Sequence, residues 1–166
     1  MKIKVPLENG FLPDKFGKFA PEKYQQLGEP IRSFPIEISD IPTNTVALAL
    51  VLIDYDAVPV AGFPWIHWIA TDIKPTNLIP ENASRDDKDM IQGKNSNYSK
   101  FINITDETLI NHYVGPNPPT NHNYNLSVFA LSKKTGLKNG FFLNDLLKAI
   151  DPITIDLATI AIPSRG

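Results

Sequence analysis

Two short stretches of the chain hold the residues whose types and spacing could do chemistry. In the first, Asp54 and Asp56 follow the apolar run 46–53, and His67 lies inside the apolar run 65–73. Residues two apart on an extended backbone share a face, so the carboxylates would repel each other unless a cation, a donor-rich ligand or a histidine shared their site. Buried strands do not carry such groups without partners. Asp54, Asp56 and His67 are therefore the first candidates for a functional site.

The second stretch, 112–131, combines a proline-rich loop with a predicted strand. Gly115 and the prolines around it cannot continue a helix or a central strand, so they predict a stiff loop. His122 and Tyr124 follow two residues apart and share a face where the chain is extended. A hairpin that brought the first histidine beside the carboxylates would join both stretches. The predicted site comprises Asp54, Asp56, His67, His122 and Tyr124, with Trp65, Pro118 and Pro119 as apolar walls.

Two carboxylates and two imidazoles suit more than one chemistry. They could hold a metal ion or act as an acid and base pair. Against an enzyme, no serine or cysteine nucleophile occupies a motif position, and no His-Glu-x-x-His metal signature occurs. Each pattern also has a purely structural interpretation. A histidine beside tryptophan is commonly a hydrogen-bonded core residue, and Asp-x-Asp is commonly a turn cap.

The composition narrows the class of protein. The chain has 166 residues, 42% of them hydrophobic, which predicts a single domain over 1–166. Its net charge of -2 argues against a broad nucleic-acid-binding surface, and the lack of cysteine excludes disulfides and thiolate metal sites. No apolar run reaches the ~18 residues of a membrane span, and no signal-peptide core follows the N-terminus. We therefore expect a cytoplasmic protein without stable membrane insertion and without a cofactor.

The elements that must position these residues are mostly short strands, because the 15 prolines favour turns over long helices. The predicted strands cover 1–5 at a sheet edge, 31–38, 46–53, 65–73, 123–131 and 153–163. The segment 74–97 is predicted to be mainly surface loop, with a short strand near 76–79.

Two helices are predicted in the C-terminal half. Leu143, Leu146, Leu147 and Ile150 recur at helical spacing, which predicts an amphipathic helix over 141–150. A short helix is expected within 105–111, with Thr105 as its N-cap.

Both chemical stretches resemble motifs of the phosphatidylethanolamine-binding protein family, in particular its bacterial Raf-kinase-inhibitor-like branch. The family's first motif is Asp-Pro-Asp-Ala-Pro followed by His-Trp, and this chain has Asp54-Tyr55-Asp56-Ala57-Val58-Pro59 and Trp65-Ile66-His67-Trp68. Its second motif is Tyr-x-Gly-Pro-x-Pro-Pro followed by His-Arg-Tyr, and here it is Tyr113-Val114-Gly115-Pro116-Asn117-Pro118-Pro119 and His122-Asn123-Tyr124. The resemblance covers about residues 7–166.

The chain departs from the family's pattern at a few positions. Tyr55 replaces a proline, and Val58 is inserted before Pro59. The spacer 120–121 lacks the usual glycine, and Asn123 replaces arginine. These departures bear on the width of the pocket and on its affinity for anions.

The resemblance implies a mainly β fold, with a large antiparallel sheet packed on a smaller sheet in a Greek-key, sandwich-like arrangement and a few short helices, one of them near the C-terminus. It also implies a small pocket near that helix, which binds phosphate-like anions or phospholipid head groups. In this interpretation His67 and His122 donate to the anion, and the neighbouring carboxylates raise the pKa of both imidazoles.

The other pocket residues receive roles from the same resemblance. Asp54 orients a histidine or accepts from an ammonium group, and Asp56 shapes the loop. Tyr113 and Tyr124 form walls, and Gly115 lets backbone amide groups approach the ligand.

The leading hypothesis is a non-catalytic protein that binds a small anion or a phospholipid head group and modulates a kinase or protease partner. A metal-dependent or His/Asp-dependent hydrolase is one alternative, and an interaction protein with a vestigial pocket is another. The resemblance also suggests pairing into a homodimer, and neither nucleic acid nor a metal is expected as a partner.

Overall fold

The computed structural model describes residues 1–102 and 104–166. The strands of this described part are β1 (Lys2–Lys4), β2 (Gln25–Gln26), β3 (Glu29–Pro30), β4 (Ile36–Ser39), β5 (Ala47–Asp54), β6 (Trp65–Ile73), β7 (Leu78–Ile79), β8 (Ile91–Gln92), β9 (His122–Leu131) and β10 (Thr154–Ser164). Its α helices are α1 (Val58–Ala61), α2 (Ala83–Asp86), α3 (Glu107–Ile110) and α4 (Leu143–Ile150). Single 3-10 turns cover Asp14–Phe16, Glu22–Tyr24, Ser96–Tyr98 and Asp151–Ile153.

Most of the strands belong to two antiparallel sheets. The larger sheet has the order β10-β9-β5-β6-β8, and the smaller has the order β1-β4-β7, with β2 and β3 forming a separate ribbon. This confirms the predicted fold class, a large sheet with a smaller one and a few short helices. The predicted edge strand 1–5 is β1, at the edge of the smaller sheet.

The large sheet is covered on both faces, which explains the unbroken apolar run of β5. Every residue of β5 is buried. Leu48, Leu50 and Leu52 pack on the side of the smaller sheet, in one core cluster with Ile36 and Ile79. The alternate β5 residues pack into a second cluster with Leu146 and Ile150 of α4. Strands buried on both faces lose the alternation of polar and apolar residues, as the sequence of β5 does.

The strand register brings the predicted site together. Asp54, the last residue of β5, lies opposite Trp65 at the start of β6 and opposite Tyr124 near the start of β9. The end of one strand and the starts of its two neighbours therefore meet at one end of the large sheet, as an antiparallel arrangement requires.

The prediction for 74–97 was right in part. Most of the segment is irregular and the predicted short strand is β7, but the chain also crosses from the smaller to the larger sheet here and forms α2 and β8. Residues 86–89 are exposed, whereas Ser84 and Gln92 are buried, because they bond to each other and to the core. Ser84 Oγ donates to Gln92 Oε1 at 2.7 Å and accepts the N–H of Tyr113 at 2.8 Å, and Trp68 Nε1 donates to Gln92 Oε1 at 2.8 Å.

Two helix predictions need smaller corrections. The N-cap of α3 is Asp106 rather than Thr105, because the Asp106 carboxylate accepts the N–H of Thr108 at 2.9 Å. In α4, Leu146 and Ile150 are buried, whereas Leu147 is 46% exposed, since only a narrow stripe of this short helix faces the sheet. The predicted strand 31–38 is observed only from Ile36, directly after Pro35.

Candidate functional site

A cavity of about 240 Å³ lies where β5 ends and β6 and β9 begin. It is lined by most of the residues that the sequence singled out, namely Asp54, Trp65, His67, Gly115, Pro118, Pro119, His122 and Tyr124. Its wall also includes residues that the sequence did not indicate, namely Glu29, Ala57, Val60, Ala61, Asn97, Val114 and Asn117. No residue of α4 is in this lining, so the expectation of a pocket beside that helix is wrong. The helix covers the opposite face of the sheet.

Asp54 and His122 form a buried pair at the base of the cavity. Asp54 is 3% exposed, and its Oδ2 lies 2.8 Å from Nδ1 of His122. Its other oxygen accepts the N–H of Ala57 at 3.1 Å, which caps the turn leading into α1. The carboxylate therefore fixes the orientation of the imidazole, and Nε2 of His122 is the ring nitrogen that can contact a ligand in the cavity.

His67 is held by a backbone carbonyl instead of a carboxylate. Its Nδ1 lies 2.8 Å from the carbonyl oxygen of Val114. A carbonyl can only accept, so Nδ1 carries the proton and the neutral ring presents Nε2 as an acceptor. Burial lowers the pKa of His67 to about 4, and the nearby carboxylate of Asp54 only partly opposes this. The expectation of a raised pKa at His67 is therefore wrong, because desolvation outweighs the neighbouring charge.

Tyr124 lies against the ring of His67. The two ring centroids are 4.9 Å apart in an edge-on arrangement. Burial first, and then the charge of Asp54, raises the pKa of the Tyr124 hydroxyl. The hydroxyl therefore keeps its proton at neutral pH and can donate.

The apolar walls come from Trp65 and the proline loop. The Trp65 ring stacks on Phe63 with 5.6 Å between centroids. Lys18 holds the loop by donating to the carbonyl oxygen of Pro118 at 2.9 Å. These contacts give the cavity one rigid aromatic side and one rigid proline side.

Two predicted residues lie outside the cavity lining. The hydroxyl of Tyr113 donates to the carbonyl oxygen of Phe16 at 2.7 Å, and its ring packs edge-on against Trp68 in the core. Tyr113 is therefore a core residue rather than a pocket wall. Asp56 lies in a neighbouring shallow cleft, where its Oδ2 accepts the N–H of Asn123 at 2.8 Å. It ties the loop after β5 to the start of β9.

Gly115 lines the cavity for a reason other than the predicted one. Its N–H donates to the carbonyl oxygen of Pro30 at 2.8 Å, so this amide is already engaged. A Cβ atom at this position would lie 2.2 Å from the carbonyl oxygen of Phe16. Glycine is needed here for close packing of two backbone segments.

Asn97 is a site residue that sequence reasoning missed. It is 2% exposed, and its buried Nδ2 has no hydrogen-bond partner in the part of the chain that the structure describes. Asn95 Oδ1 accepts the N–H of Asn97 at 2.9 Å, and Ser96 Oγ accepts the N–H of Ile66 at 2.8 Å. The run of small polar residues at 95–97 is the sequence feature that could have indicated this part of the site, because such side chains commonly bond to nearby backbone.

The departures from the family motif are accommodated outside the cavity. Tyr55 and Val58 are exposed and line the neighbouring shallow cleft. The inserted residue is taken up in α1, which the sequence did not predict and which places Ala57, Val60 and Ala61 in the wall.

Neither a cluster of metal-ligating side chains nor a membrane-spanning helix is found among the described residues. Over 1–102 and 104–166, no group of three or more His, Cys, Asp or Glu side chains is arranged to hold a metal ion. Within the same ranges, no helix has the length and apolar character needed to cross a bilayer.

The two-sheet fold and its lined cavity are those of a ligand-binding β protein. The chain matches the family model of the phosphatidylethanolamine-binding protein over residues 3–164, and it belongs to this family. It is 47% identical over 142 residues to the Bacillus subtilis protein YxkA, and the match covers 83% of this chain and 84% of YxkA. It is 33% identical over 156 residues to a UPF0098 protein of Archaeoglobus fulgidus, covering 91% of this chain and 46% of that protein.

Two solved structures have a similar fold. A Chlamydia trachomatis homologue of the family, CT736, is 24% identical with a TM-score of 0.69, and the match covers 99% of this chain and 97% of that one. YbcL of Escherichia coli, described as a member of the mammalian family, is 18% identical with a TM-score of 0.75, covering 99% and 98%.

Proposed function

We propose that this protein binds a small phosphate-bearing head group of the phosphoethanolamine type, without catalysing a reaction on it. The observation that carries the proposal is the pair of imidazoles around the cavity. Nδ1 of His67 is held by Val114 and Nδ1 of His122 by Asp54, so each Nε2 is left for a ligand. Fixed ring nitrogens of this kind lower the cost of binding, because little side-chain freedom remains to be lost.

The cavity offers further groups to a phosphate. Asn97 Nδ2, which has no partner among the described residues, can donate to it. The neutral His67 can accept from a protonated phosphate oxygen through Nε2. The volume of about 240 Å³ is below the ~300–1,000 Å³ of pockets for drug-sized ligands, which suits a head group rather than a whole lipid.

The charges around the cavity favour a zwitterion over a simple anion. Its lining includes the carboxyl groups of Glu29 and Asp54, and no lysine or arginine of the described residues lines it. Burial raises the pKa of Glu29, so this carboxyl group is costly to leave charged and unpaired. An ammonium group beside Glu29 would supply the missing partner. We therefore expect phosphoethanolamine to bind more tightly than inorganic phosphate.

The lining also supports a binding role over hydrolysis. Asp54 and His122 resemble the orienting carboxylate and imidazole of a general base. However, no serine, threonine or cysteine among the described residues lines the cavity beside this pair. Elemental analysis of purified protein discriminates further, because stoichiometric zinc or manganese would favour the hydrolase alternative. Modulation of a kinase or protease partner in the cytoplasm is part of the same proposal.

An NMR titration tests the proposal. Phosphoethanolamine should shift the ring resonances of His67 and His122 saturably, and inorganic phosphate should need a higher concentration. His122→Ala should weaken binding by about 10-fold or more, since hydrogen bonds to charged groups contribute ~1.5–3 kcal/mol. The matched control is His112→Gln, which removes the histidine outside this cavity and should leave the affinity unchanged. Absence of a response at both His67 and His122 would refute the proposal.

A further inference from the structure

A second cavity, of about 280 Å³, lies between α2 and α3 and does not share residues with the first. Arg85 of α2 lines it together with Lys88, Glu107, Asn111 and His112. This part of the chain belongs to neither family motif. This cavity is therefore a candidate site separate from the head-group site.

Buried polar atoms without partners are concentrated at this cavity. Within the described residues, Arg85 Nε and Nη2, Asn111 Oδ1 and His112 Nδ1 are fully buried and form no hydrogen bond. Buried polar side-chain atoms are paired in the large majority of cases. The four atoms belong to three residues that line one cavity, which points to a site for a ligand with complementary groups.

The two unpaired nitrogens of Arg85 define the ligand group. Nε–H and Nη2–H lie on the same edge of the planar guanidinium, and parallel donors of this kind match the two oxygens of a carboxylate. The chain's other arginines have carboxylate partners, since Arg32 pairs with Glu81 and Arg165 pairs with Asp14. Arg85 forms no ion pair among the residues the structure describes.

The nearby acidic side chains are occupied elsewhere. Glu107 Oε2 accepts from Asn111 Nδ2 and lies 3.8 Å from Lys94 Nζ. The Asp106 carboxylate accepts from Thr108 and from Gln26. Neither carboxylate therefore pairs with Nε and Nη2 of Arg85.

The charge of the cavity favours a singly charged ligand. Arg85 and Lys88 are balanced by Asp87 and Glu107. Burial first, and then Arg85, lowers the pKa of His112 to about 4, so its imidazole is neutral at pH 7. A monocarboxylate leaves a smaller net charge in the cavity than a phosphate dianion does.

We propose that this cavity binds the carboxylate of a small organic acid that also carries a hydrogen-bond donor, such as a hydroxyl group. Arg85 Nε and Nη2 donate to the two carboxylate oxygens, and His112 Nδ1 is a third donor. The hydroxyl group donates to Asn111 Oδ1. Together these contacts satisfy all four unpaired atoms.

The wild-type protein tests this directly through the Nε–H signals of its arginines in ¹H–¹⁵N NMR spectra. Glycolate, which has the hydroxyl group, should shift the Arg85 signal saturably, and acetate should bind ~2–10-fold more weakly because it lacks one hydrogen bond. Phosphate should bind more weakly than glycolate. The signals of Arg32 and Arg165 are internal controls and should not move, because their carboxylate partners are part of the protein.

A pair of matched variants completes the test. Arg85→Lys keeps the charge but removes the two parallel N–H donors of the guanidinium, and it should weaken glycolate binding by about 10-fold or more. Arg32→Lys should leave it unchanged. The proposal is overturned if tens of millimolar glycolate leave the Arg85 signal unmoved, which would mean that water satisfies Nε and Nη2 of Arg85. It is also overturned if the signals of all arginines move together. His67 and His122 report on the first cavity independently, so failure of either proposal leaves the other standing.

Discussion

His67 donates through Nδ1 to the carbonyl oxygen of Val114, and this contact decides the chemistry of the ring. The sequence placed His67 beside carboxylates, which suggested a charged imidazole. The fold instead buries the ring, and the cost of desolvating a charge dominates. Because burial depends on every segment packed around a residue, the protonation state could not be predicted from the motif alone.

Acidification should destabilise the protein through His67. Its pKa falls from 6.5 to about 4 on folding, so between these values the unfolded chain binds a proton that the folded chain does not. Stability is therefore full above the unfolded value and decreases as the pH falls towards the folded one, by about 3 kcal/mol for this residue. Urea unfolding at neutral pH and at about pH 4 measures the loss.

The control for this prediction is His67→Asn, whose amide can still donate to Val114. The variant should lose less stability than the wild type over the same pH range, and the contribution of His112 cancels in the comparison. Equal losses in the two proteins would show that His67 is not the group responsible.

Gly115 gives a second prediction at the residue scale. Gly115→Ala forces a Cβ atom to within 2.2 Å of the Phe16 carbonyl oxygen, where neither backbone can move freely. Overpacking of this kind should lower the free energy of unfolding by about 3 kcal/mol. Gly136→Ala is the matched control. Its φ of +73° carries a strain of about 1 kcal/mol, and its Cβ would meet nothing within 4 Å. In denaturant unfolding, Gly115→Ala should lose more stability than Gly136→Ala. A larger loss in Gly136→Ala would contradict the role of Gly115 in close backbone packing.

At the scale of elements, the strands that carry the site were predicted well. The run 65–73 is the whole of β6, and the other two site strands, β5 and β9, differ from prediction by single residues at their ends. Continuous apolar runs bounded by turns identify such strands directly. The buried part of 74–97 was not predicted, because polar residues usually indicate a solvated loop and nothing in the sequence shows that Ser84 and Gln92 bond to each other.

The buried polar network around Ser84 gives the prediction at this scale. Ser84→Ala removes the acceptor of the Tyr113 N–H, which is then buried without a bond. It also removes one of the two donors to Gln92 Oε1, which keeps its bond from Trp68. The free energy of unfolding should fall by ~1–3 kcal/mol, the usual cost of an unsatisfied buried group. Ser99→Ala removes, among the described residues, a long contact of 3.4 Å near the surface and should change it by less than about 0.5 kcal/mol. Comparable losses in the two variants would argue against a structural role for the network.

At the scale of the whole molecule, the large sheet supports the site from both faces. The smaller sheet packs on one face and α4 on the other, so the ends of β5, β6 and β9 are held in register. The cavity also draws on distant segments, Glu29 from the β3 ribbon and Asn97 from the 3-10 turn after β8. The motifs predicted the centre of the site, whereas these outer residues depend on tertiary packing that no local pattern encodes.

The most direct test of the head-group proposal is a crystal structure of the protein soaked with phosphoethanolamine. We predict density for the phosphate within hydrogen-bond distance of His122 and Asn97, with the ammonium group directed to Glu29. The same crystals soaked with inorganic phosphate at equal concentration should show lower occupancy. Water alone in the cavity at a saturating concentration of phosphoethanolamine would contradict the proposed function.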